Sequence, residues 1–346
     1  MSSHAWSEQR ILTHLPAARQ LYAAKSDTAV PFPPPRFLSI WLSEICNLDC
    51  TYCYFAESNH DPERKFVNTE DIISWLEQMR RFGSEALEFS GGGEPTVHKD
   101  FPKIFEAAAD MGYALGLITH ACNPMPLELL AKHAKYVRCG LDAATAETHE
   151  KIKRKPGKFE AAINNVKALV KLRDSGLNNG FTVGIKVVVN TINERDVPYI
   201  VSMARDLNVD YVQFKHEHSS DHALDEDTVE LFQDYLESEA KYIPKGKRTR
   251  VLANLRHQKA TTKCFMSPIH TVVNSRGEIL QCCFMYERPI GTIKESIRDV
   301  WGGQKHREVI EKTTVAECSN VDCRWNFYNQ RMKDIIEDPL QQISFI

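Results

Sequence analysis

The chain has 346 residues, and its apolar fraction of 42% and charged fraction of 26% are ordinary for a globular protein with one large domain and a smaller unit. Its formal net charge of −3 argues against nucleic-acid binding, and no apolar run approaches the length of a membrane span. The start of the chain lacks an apolar signal segment, and the ten cysteines fall in metal-like groups. We therefore expect a cytoplasmic protein that binds neither nucleic acid nor a membrane.

The lead-in to the first strand is rich in proline. An amphipathic stretch covers residues 11–24, and residues 31–35 read Pro-Phe-Pro-Pro-Pro, which excludes helix and predicts an extended strap over the surface. An apolar run at 37–45 then predicts the first strand. Residues 1–36 are thus expected to precede the main domain.

Strand and helix patterns alternate from there. Further strands are predicted at 86–90, 113–119, 136–141, 181–189 and 210–215, with helices at 69–81, 100–111, 126–133, 146–173 and 194–207. The strands are apolar throughout, which is typical of a parallel sheet covered on both faces. The pattern predicts an α/β fold, a partial (β/α)6 barrel over residues 37–245, with functional groups at the C-terminal ends of its strands.

Three cysteines, Cys46, Cys50 and Cys53, follow the first strand with the spacing C-x3-C-x2-C. The spacing lets one tight loop direct three thiolates to a single point. A [4Fe–4S] cluster usually takes four thiolates, and no fourth cysteine lies nearby, so one iron would stay open to an exogenous ligand. A zinc site with a remote fourth ligand, or loop cysteines with no shared role, are the alternatives.

This motif resembles that of the radical S-adenosylmethionine (SAM) superfamily. The resemblance implies that the three cysteines hold a [4Fe–4S] cluster, that SAM chelates its open iron, and that Tyr52 lies against the adenine. The reduced cluster would cleave SAM to a 5′-deoxyadenosyl radical that abstracts hydrogen from a substrate. An external one-electron reductant of the flavodoxin or ferredoxin type is the implied partner.

A glycine-rich turn, Gly91-Gly92-Gly93-Glu94, follows the second strand. Glycine lets the backbone approach a ligand closely, whereas a phosphate loop would need a Gly-Lys-Ser/Thr continuation that is missing. Alone, the turn is as readily structural as functional. After a three-cysteine loop it resembles the family's GGE motif, which implies that Gly92, Gly93 and Glu94 hold the amino group of SAM.

The third and fourth strands end in further family positions. Thr119-His120-Ala121 stands where relatives often carry Thr-Asn-Gly, and Gly140 stands where many carry a serine that helps to bind SAM. Asp142 matches the family pattern and is expected to contact SAM or substrate. Period-two alternation places Arg138, Gly140 and Asp142 on one face of the strand and Cys139 on the other.

The α/β pattern stops past residue 250, where a second group of cysteines begins. A hairpin is predicted at 270–284, with Gly277-x4-Cys282 in its second part, and a helix at 325–336. Four cysteines in two separated pairs predict a metal site, with structural zinc as the alternative. The arrangement resembles the SPASM/twitch extension of radical SAM enzymes, which implies a C-terminal auxiliary [4Fe–4S] domain over residues 246–346. Its implied ligands are Cys264, Cys282, Cys318 and Cys323, with Cys283 as a possible replacement for Cys282.

Three cysteines have no role in a cluster: Cys122, Cys139 and Cys283. Each fits a small buried hydrophobic residue. An enzyme that inverts a carbon centre also needs a hydrogen donor, for which a thiol is suited, and Cys122 and Cys283 are the candidates for that catalytic role. Strand direction further predicts a group of substrate contacts suited to an anionic or hydroxyl-rich molecule: Arg138, Lys186, Lys215, His216 and His218.

Several functions are compatible with these motifs. The favoured one is a radical SAM oxidoreductase or epimerase acting on the carbinol carbon of a small polar natural-product intermediate, such as a sugar, an aminocyclitol or a nucleoside-like molecule. The alternative is a peptide-modifying enzyme that makes a thioether, a carbon–carbon link or a D-residue; these often carry an N-terminal recognition domain, and only 36 residues precede the first strand here. An iron–sulfur electron carrier or activating partner is disfavoured, since a carrier would not need the GGE motif.

Overall fold

The computed structural model describes residues 15–26, 29–55, 66–217, 221–323 and 325–336. Within these ranges one sheet contains ten strands. They are β1 (Phe37–Trp41), β2 (Ala86–Ser90), β3 (Ala114–Thr119), β4 (Ala134–Gly140), β5 (Thr182–Val189), β6 (Tyr211–His216), β7 (Arg250–Asn254), β8 (His270–Val273), β9 (Glu278–Leu280) and β10 (Pro289–Thr292).

The strand order is β10-β9-β8-β1-β2-β3-β4-β5-β6-β7. Strands β1 to β6 are parallel neighbours in chain order, which confirms the predicted α/β fold with a parallel barrel sheet. The sheet extends beyond the six predicted strands, because β7 pairs parallel with β6 and β8 pairs parallel with β1. Among the strands that the structure describes, β9 pairs antiparallel with β8 on one side and with β10 on the other. The alternation of helix and strand ends at β7, since β8, β9 and β10 follow without an intervening helix, and the C-terminal hairpin continues the barrel sheet.

Helices cover the outer face of the sheet. They are α1 (Leu15–Ser26), α2 (Thr69–Phe82), α3 (Phe101–Asp110), α4 (Leu127–His133), α5 (Ala146–Lys153), α6 (Lys158–Asp174), α7 (Val197–Asp206), α8 (Glu226–Ala240), α9 (Ile297–Val300), α10 (Gln304–Lys312), α11 (Val315–Ser319) and α12 (Asn326–Ile336).

One helix predicted from the sequence is two helices in the structure. The range 146–173 divides into α5 and α6, because Pro156 cannot continue a helix and the chain turns with positive φ at Arg154 (53°) and Gly157 (70°). Most of the other predicted boundaries agree within one or two residues. At α2, for example, Asn68 caps the first turn by accepting the backbone N–H groups of Glu70 and Asp71.

Helix α1 and the proline-rich lead-in, which precede the barrel in the sequence, contact the C-terminal part of the chain. Helix α1 joins a small apolar cluster with Met266, Ile269 and Met332. The proline-rich lead-in forms no helix, as predicted, and the indole of Trp301 donates a hydrogen bond to the carbonyl of Pro33 at 2.8 Å. Backbone pairing continues where Arg36 N donates to Ile269 O at 3.0 Å.

Two tyrosines fill the base of the barrel because glycines on the neighbouring strands leave room for their rings. Tyr136 on β4 lies over Gly116 on β3, and Tyr211 on β6 lies over Gly184 on β5. Arg138 stands between them, with its guanidinium 5.4 Å from the Tyr136 ring centre and 5.8 Å from that of Tyr211. This layer closes the base and leaves the C-terminal ends of the strands for the site.

Gly184→Ala is expected to lower the free energy of unfolding by about 1–3 kcal/mol, because overpacking a filled interior forces side chains from their rotamers. A Cβ at residue 184 would lie 2.1 Å from Cζ of Tyr211, whose hydroxyl accepts a hydrogen bond from Arg138. Anaerobic urea titration followed by tryptophan fluorescence measures the change.

Gly140→Ala is the matched control, since the nearest atoms to its added Cβ are 3.6 Å away. We expect a change below about 0.5 kcal/mol for that variant. Equal losses for the two variants would contradict this account of the barrel packing.

Candidate functional site

The three-cysteine loop begins at the C-terminal end of the β1 segment and is attached to the end of α5. Asp49 N donates to the carbonyl of Lys153 at 3.4 Å, and Thr51 N donates to that of Ile152 at 2.9 Å. The thiols of Cys46, Cys50 and Cys53 are partly exposed, and each lies close enough to sense the charge of another. Burial raises the pKa of Cys46 to about 12, while the N–H of Leu48 opposes that shift by donating to its sulfur.

The glycine-rich turn lies directly against this loop. Gly93 N donates to the carbonyl of Ser43 and Glu94 N donates to that of Ile45, both at 3.0 Å. A Cβ on Gly93 would be 2.3 Å from the Ile45 oxygen, so this close approach requires glycine. The two motifs, residues 46–53 and 91–94, therefore form one continuous surface.

The Glu94 carboxylate is buried and held by four donors. One oxygen accepts the backbone N–H and the hydroxyl of Thr96, at 3.1 and 2.7 Å, and the hydroxyl of Thr119 at 2.7 Å. The other accepts the N–H of His120 at 2.9 Å. These bonds hold the carboxylate in one orientation beside the cysteine loop, where its oxygens can accept hydrogen bonds from a ligand ammonium group.

His120 connects the end of β3 to the cysteine loop. Its Nδ1 accepts the N–H of Cys122 at 2.9 Å, so Nε2 carries the proton and donates to Asn47 at 2.9 Å. Burial lowers the pKa of His120, so the ring stays neutral. The next residue, Ala121, has φ of 58°, a left-handed conformation that explains why glycine is frequent at this family position.

A buried ion pair holds the hydroxyl group of Tyr52 in place. Lys153 and Asp142 form a 2.5 Å pair with side-chain exposures of 2% and 1%, and the Tyr52 hydroxyl donates to the same Asp142 oxygen at 2.7 Å. The other Asp142 oxygen accepts the N–H of Val188 at 2.8 Å. Both oxygens of Asp142 are thus bound by the protein itself; its predicted contact with SAM or substrate stays a prediction.

Electrostatics keep this pair charged. Burial alone would raise the pKa of Asp142, but the ammonium of Lys153 and its hydrogen bonds outweigh that effect and lower the pKa. Burial alone would lower the pKa of Lys153, but Asp142 raises it well above its usual value. Lys153 was not identified from the sequence, where it is one lysine in a basic stretch without a motif of its own.

The second group of cysteines lies in the C-terminal part. Cys264 precedes β8, Cys282 follows β9, Cys318 lies in α11, and Cys323 precedes α12. Burial raises the pKa of Cys264 and of Cys318; the charge of Cys323 adds to the shift at Cys264, and the charge of Cys264 adds to the shift at Cys318. The hairpin turn before Cys282 needs glycine, since Gly277 has φ of 76°.

Several cysteine sulfur atoms of both groups accept a hydrogen bond from the backbone in the same way. The N–H two residues on donates to the sulfur of Cys282 and of Cys323, from Phe284 and Trp325 respectively, as Leu48 does for Cys46. The sulfur of Cys264 accepts hydrogen bonds from Ser267 N and the Asn329 side chain. Hydrogen bonds of this kind stabilise a thiolate and tune iron–sulfur clusters, so these donor sets fit such a group. Across the described ranges, no three or more His, Cys, Asp or Glu side chains are arranged to hold a single metal ion.

The remaining thiols occupy different environments. Cys122 is buried, donates its S–H to the carbonyl of His120 at 3.2 Å, and has its pKa raised to about 12 by burial. Cys283 is partly exposed, and its thiol hydrogen-bonds that of Cys282. Cys139 is fully buried in the main apolar core, as its strand position predicts. The catalytic roles of Cys122 and Cys283 stay predictions.

Some of the predicted substrate contacts already form hydrogen bonds or ion pairs with other residues of the protein, and others do not. Arg138 donates to the Tyr211 hydroxyl at 3.2 Å, Lys215 pairs with Asp322 at 3.1 Å, and His216 Nε2 accepts the N–H of Leu224 at 2.9 Å. Lys186 makes no such contact with any residue that the structure describes. His218 lies outside the described residues. Their roles toward substrate are untested and stay predictions.

Comparison with known families agrees with this geometry. The family model for the radical SAM superfamily matches residues 42–204, the range that contains the cysteine loop, the glycine turn and strands β2 to β5. These residues form a radical SAM domain. A second model, for the SPASM iron–sulfur cluster-binding domain, matches residues 264–324 and identifies the C-terminal part. These domains imply SAM and iron–sulfur clusters as cofactors.

Curated relatives carry several activities. An Fe-coproporphyrin III synthase of Methanosarcina barkeri is 29% identical over 185 residues, covering 51% of this chain and 43% of its own. The mycofactocin maturase MftC of Mycolicibacterium smegmatis is 31% identical over 175 residues, covering 49% and 42%. The matched segment therefore spans less than half the length of these two relatives.

Among solved structures, SuiB of Streptococcus suis bound to S-adenosylmethionine matches 89% of this chain and 77% of its own, with a TM-score of 0.66 and 14% identity. At that identity the likeness shows the fold. It extends over the barrel and the C-terminal part together. No helix among the described residues is long and apolar enough to cross a membrane.

Lys153→Met is expected to lower the free energy of unfolding by about 3 kcal/mol, because it leaves the buried Asp142 carboxylate without its counter-charge. Chemical denaturation of the anaerobically purified protein measures the loss. Lys151→Met, on the exposed face of the same helix, is the control and should change stability by less than about 0.5 kcal/mol.

The double variant Asp142→Asn with Lys153→Met should recover part of the loss, since no unpaired charge remains. If Lys153→Met were as stable as Lys151→Met, the ion pair would not anchor this part of the site.

Proposed function

We propose that this chain is a radical SAM enzyme that modifies a peptide, with the cysteine loop holding one [4Fe–4S] cluster and the C-terminal cysteines a second. The observation that carries the proposal is the fold likeness to SuiB bound to its precursor peptide SuiA. That match covers 91% of this chain with a TM-score of 0.64, at 16% identity. The relative MftC, a mycofactocin maturase by name, points in the same direction.

An exposed aromatic group at the site suits an extended substrate. Tyr54 and Phe55 directly follow Cys53, and Tyr286 follows Cys283; we call these three residues the aromatic lip. Their rings contact each other at centre distances of 5.6 to 6.5 Å, and Tyr54 and Tyr286 are 57% and 39% exposed. Exposed rings at the junction of two cysteine loops are an apolar, partly hydrated surface that can bind side chains and backbone of a peptide.

Each part of the site has a role in this proposal. Cys46, Cys50 and Cys53 would hold the SAM cluster, and Gly92, Gly93 and Glu94 would hold the ammonium group of SAM through backbone atoms and the fixed carboxylate. Tyr52, positioned by Asp142 and Lys153, would contact the adenine. When bound and reduced, the cluster and SAM supply a 5′-deoxyadenosyl radical. A one-electron reductant of the flavodoxin or ferredoxin type would supply the electron.

A second candidate is oxidation or epimerisation of a small polar molecule at a carbinol carbon. The relative named Fe-coproporphyrin III synthase favours it, since its name denotes a small-molecule product. Cys122 and Cys283 would be the hydrogen donors for an epimerisation. The barrel-facing cations would bind an anionic substrate.

Metal analysis tests the two cluster sites. After anaerobic reconstitution we expect about eight irons per chain, falling to about four in the variant with Cys46, Cys50 and Cys53 replaced by alanine. Iron, sulfide and zinc assays measure this. About four irons with one zinc in the unaltered chain would contradict the second cluster and make the C-terminal site structural.

Substrate class is tested by coupling SAM cleavage to two probe pools. One contains synthetic linear peptides that together present all side-chain types, and the other contains sugars and aminocyclitols. We expect 5′-deoxyadenosine formation to rise above the substrate-free rate only with peptides, together with a mass change or deuterium uptake in one peptide. Acceleration by the second pool alone would favour the small-molecule function instead.

Variants of the aromatic lip then separate binding from chemistry. Tyr54→Leu with Tyr286→Leu should raise KM for the active peptide, leaving substrate-free SAM cleavage unchanged. Tyr199→Leu, which is 68% exposed on α7, is the control and should have no effect. An unchanged KM in the variant of the aromatic lip would show that these residues do not bind the peptide.

A further inference from the structure

Asn329, in the first turn of α12, is a buried polar side chain beside the C-terminal cysteines. It is 2% exposed. Its amide oxygen accepts the backbone N–H of Phe265 at 2.9 Å and that of Met266 at 3.1 Å. These two donors need an acceptor inside the protein, because a buried N–H without a partner is destabilising. Asn329 therefore holds the turn that follows Cys264.

The orientation of this amide follows from its partners. A side-chain amide has an oxygen that accepts and a nitrogen that donates, so the two N–H groups of the turn can bond only to the oxygen. The nitrogen is then the atom that donates to the sulfur of Cys264. The side chain of Asn329 thus bonds both to the backbone of the turn and to the thiol at its start.

Cys264 differs in this respect from two of the other C-terminal cysteines. At Cys282 and Cys323 the sulfur accepts the N–H of the residue two positions on. At Cys264 that N–H belongs to Met266, and the oxygen of Asn329 accepts it instead. The nitrogen of the same amide donates to the sulfur. Part of the hydrogen bonding to Cys264 therefore comes from α12 and not from its own turn.

The surroundings of this contact are apolar. Phe265, Met266, Ile269 and Met332 are buried together in one cluster, and Cys264 packs against it. In such low-dielectric surroundings a hydrogen bond is electrostatically stronger than in water. A donor at the sulfur of Cys264 then favours the state of the site that carries more negative charge.

We propose that Asn329 is a positioning residue for the C-terminal cluster, which holds Cys264 in place and raises the reduction potential of the cluster through its hydrogen bond to the sulfur. Reduction adds one electron from the reductant and so increases the negative charge on the ligand sulfurs, which the donor stabilises. The inference rests on the second cluster of the proposed function, but not on the class of substrate.

Asn326 is the matched control residue on the same helix. It lies three positions before Asn329 and so on the same face of α12, and it is 8% exposed. Its side-chain oxygen accepts the N–H of Thr261 at 3.3 Å. Within the described ranges the Asn326 side chain bonds to Thr261 and to no cysteine sulfur. The two asparagines therefore share a role in packing but differ in their contact with a ligand.

Redox titration of the anaerobically reconstituted enzyme, followed by EPR spectroscopy, tests the proposal. Asn329→Ala should lower the potential of the C-terminal cluster, because the sulfur loses a donor. Asn329→Asp should lower it further, because its carboxylate can still accept the two N–H groups, which keep it ionised, but has no donor for the sulfur. Asn326→Ala should leave the potential unchanged. The same titrations in the variant with Cys46, Cys50 and Cys53 replaced by alanine assign the signals to the C-terminal cluster.

Hydrogen–deuterium exchange of the same proteins separates this role from a merely structural one. In Asn329→Ala, peptides that contain residues 264–268 should exchange about tenfold faster or more, because two N–H groups lose their acceptor. In Asn329→Asp the acceptor remains, so exchange should stay close to that of the unaltered enzyme while the potential falls. A structural role alone would change exchange and potential together. The aspartate variant also keeps the test valid if the alanine variant does not fold.

Two results would overturn the proposal. One is an unchanged potential in Asn329→Asp with about four irons retained at the C-terminal site. The other is a shift in Asn326→Ala as large as that in Asn329→Ala, which would mean that the potential follows the packing of α12 and not the bond to Cys264. Zinc in place of iron at this site would overturn the assignment together with the second cluster. Iron and zinc assays of the unaltered enzyme distinguish that result from the other two.

Discussion

The buried pair of Lys153 and Asp142 is the interaction on which the geometry of the site depends. Asp142 lies just past β4, Lys153 ends α5, and the Tyr52 hydroxyl donates to the same carboxylate oxygen that Lys153 contacts. The α5 carbonyls of residues 152 and 153 in turn accept the N–H groups of Thr51 and Asp49. A charge pair in low dielectric is costly to break, so it fixes the cysteine loop relative to the barrel wall. The cysteine loop is thereby held in place by the fold itself.

Backbone groups carry much of the remaining organisation. The cysteine loop and the glycine turn are joined by main-chain hydrogen bonds that only a glycine at residue 93 permits. In the C-terminal part, amide N–H groups point at the sulfurs of Cys264, Cys282 and Cys323. Side chains can change while such contacts persist, provided that the turns remain. This is consistent with a shared fold at 14% identity over 89% of the chain.

The inner wall of the barrel shows how the chain distributes its charges. Arg138 lies against the Tyr211 ring at the base of the barrel. Lys215 on β6 pairs with Asp322, in the loop before Cys323, and His216 accepts a hydrogen bond from the backbone N–H of Leu224. All three have structural partners, although their strand positions favour substrate binding. Lys186 stands apart because it points into the same interior without a counter-ion in the described part of the chain. The difference between these residues lies in what surrounds them and not in their residue type.

The sequence by itself determined the fold class, the first cluster motif and most element boundaries. Apolar strand runs, caps such as Asn68 and the C-x3-C-x2-C spacing are local signals, and each reports a constraint within a few residues. Only the tertiary structure decided that α5 ends at Lys153 against Asp142, that β8 pairs with β1, and that Lys186 lies opposite Gly140. These facts depend on contacts between segments that are 11 to more than 200 residues apart, and one sequence contains no local trace of which distant partner a residue will meet. The physical reason is that burial and pairing are properties of the packed sheet, whereas capping, turns and periodicity are properties of the chain.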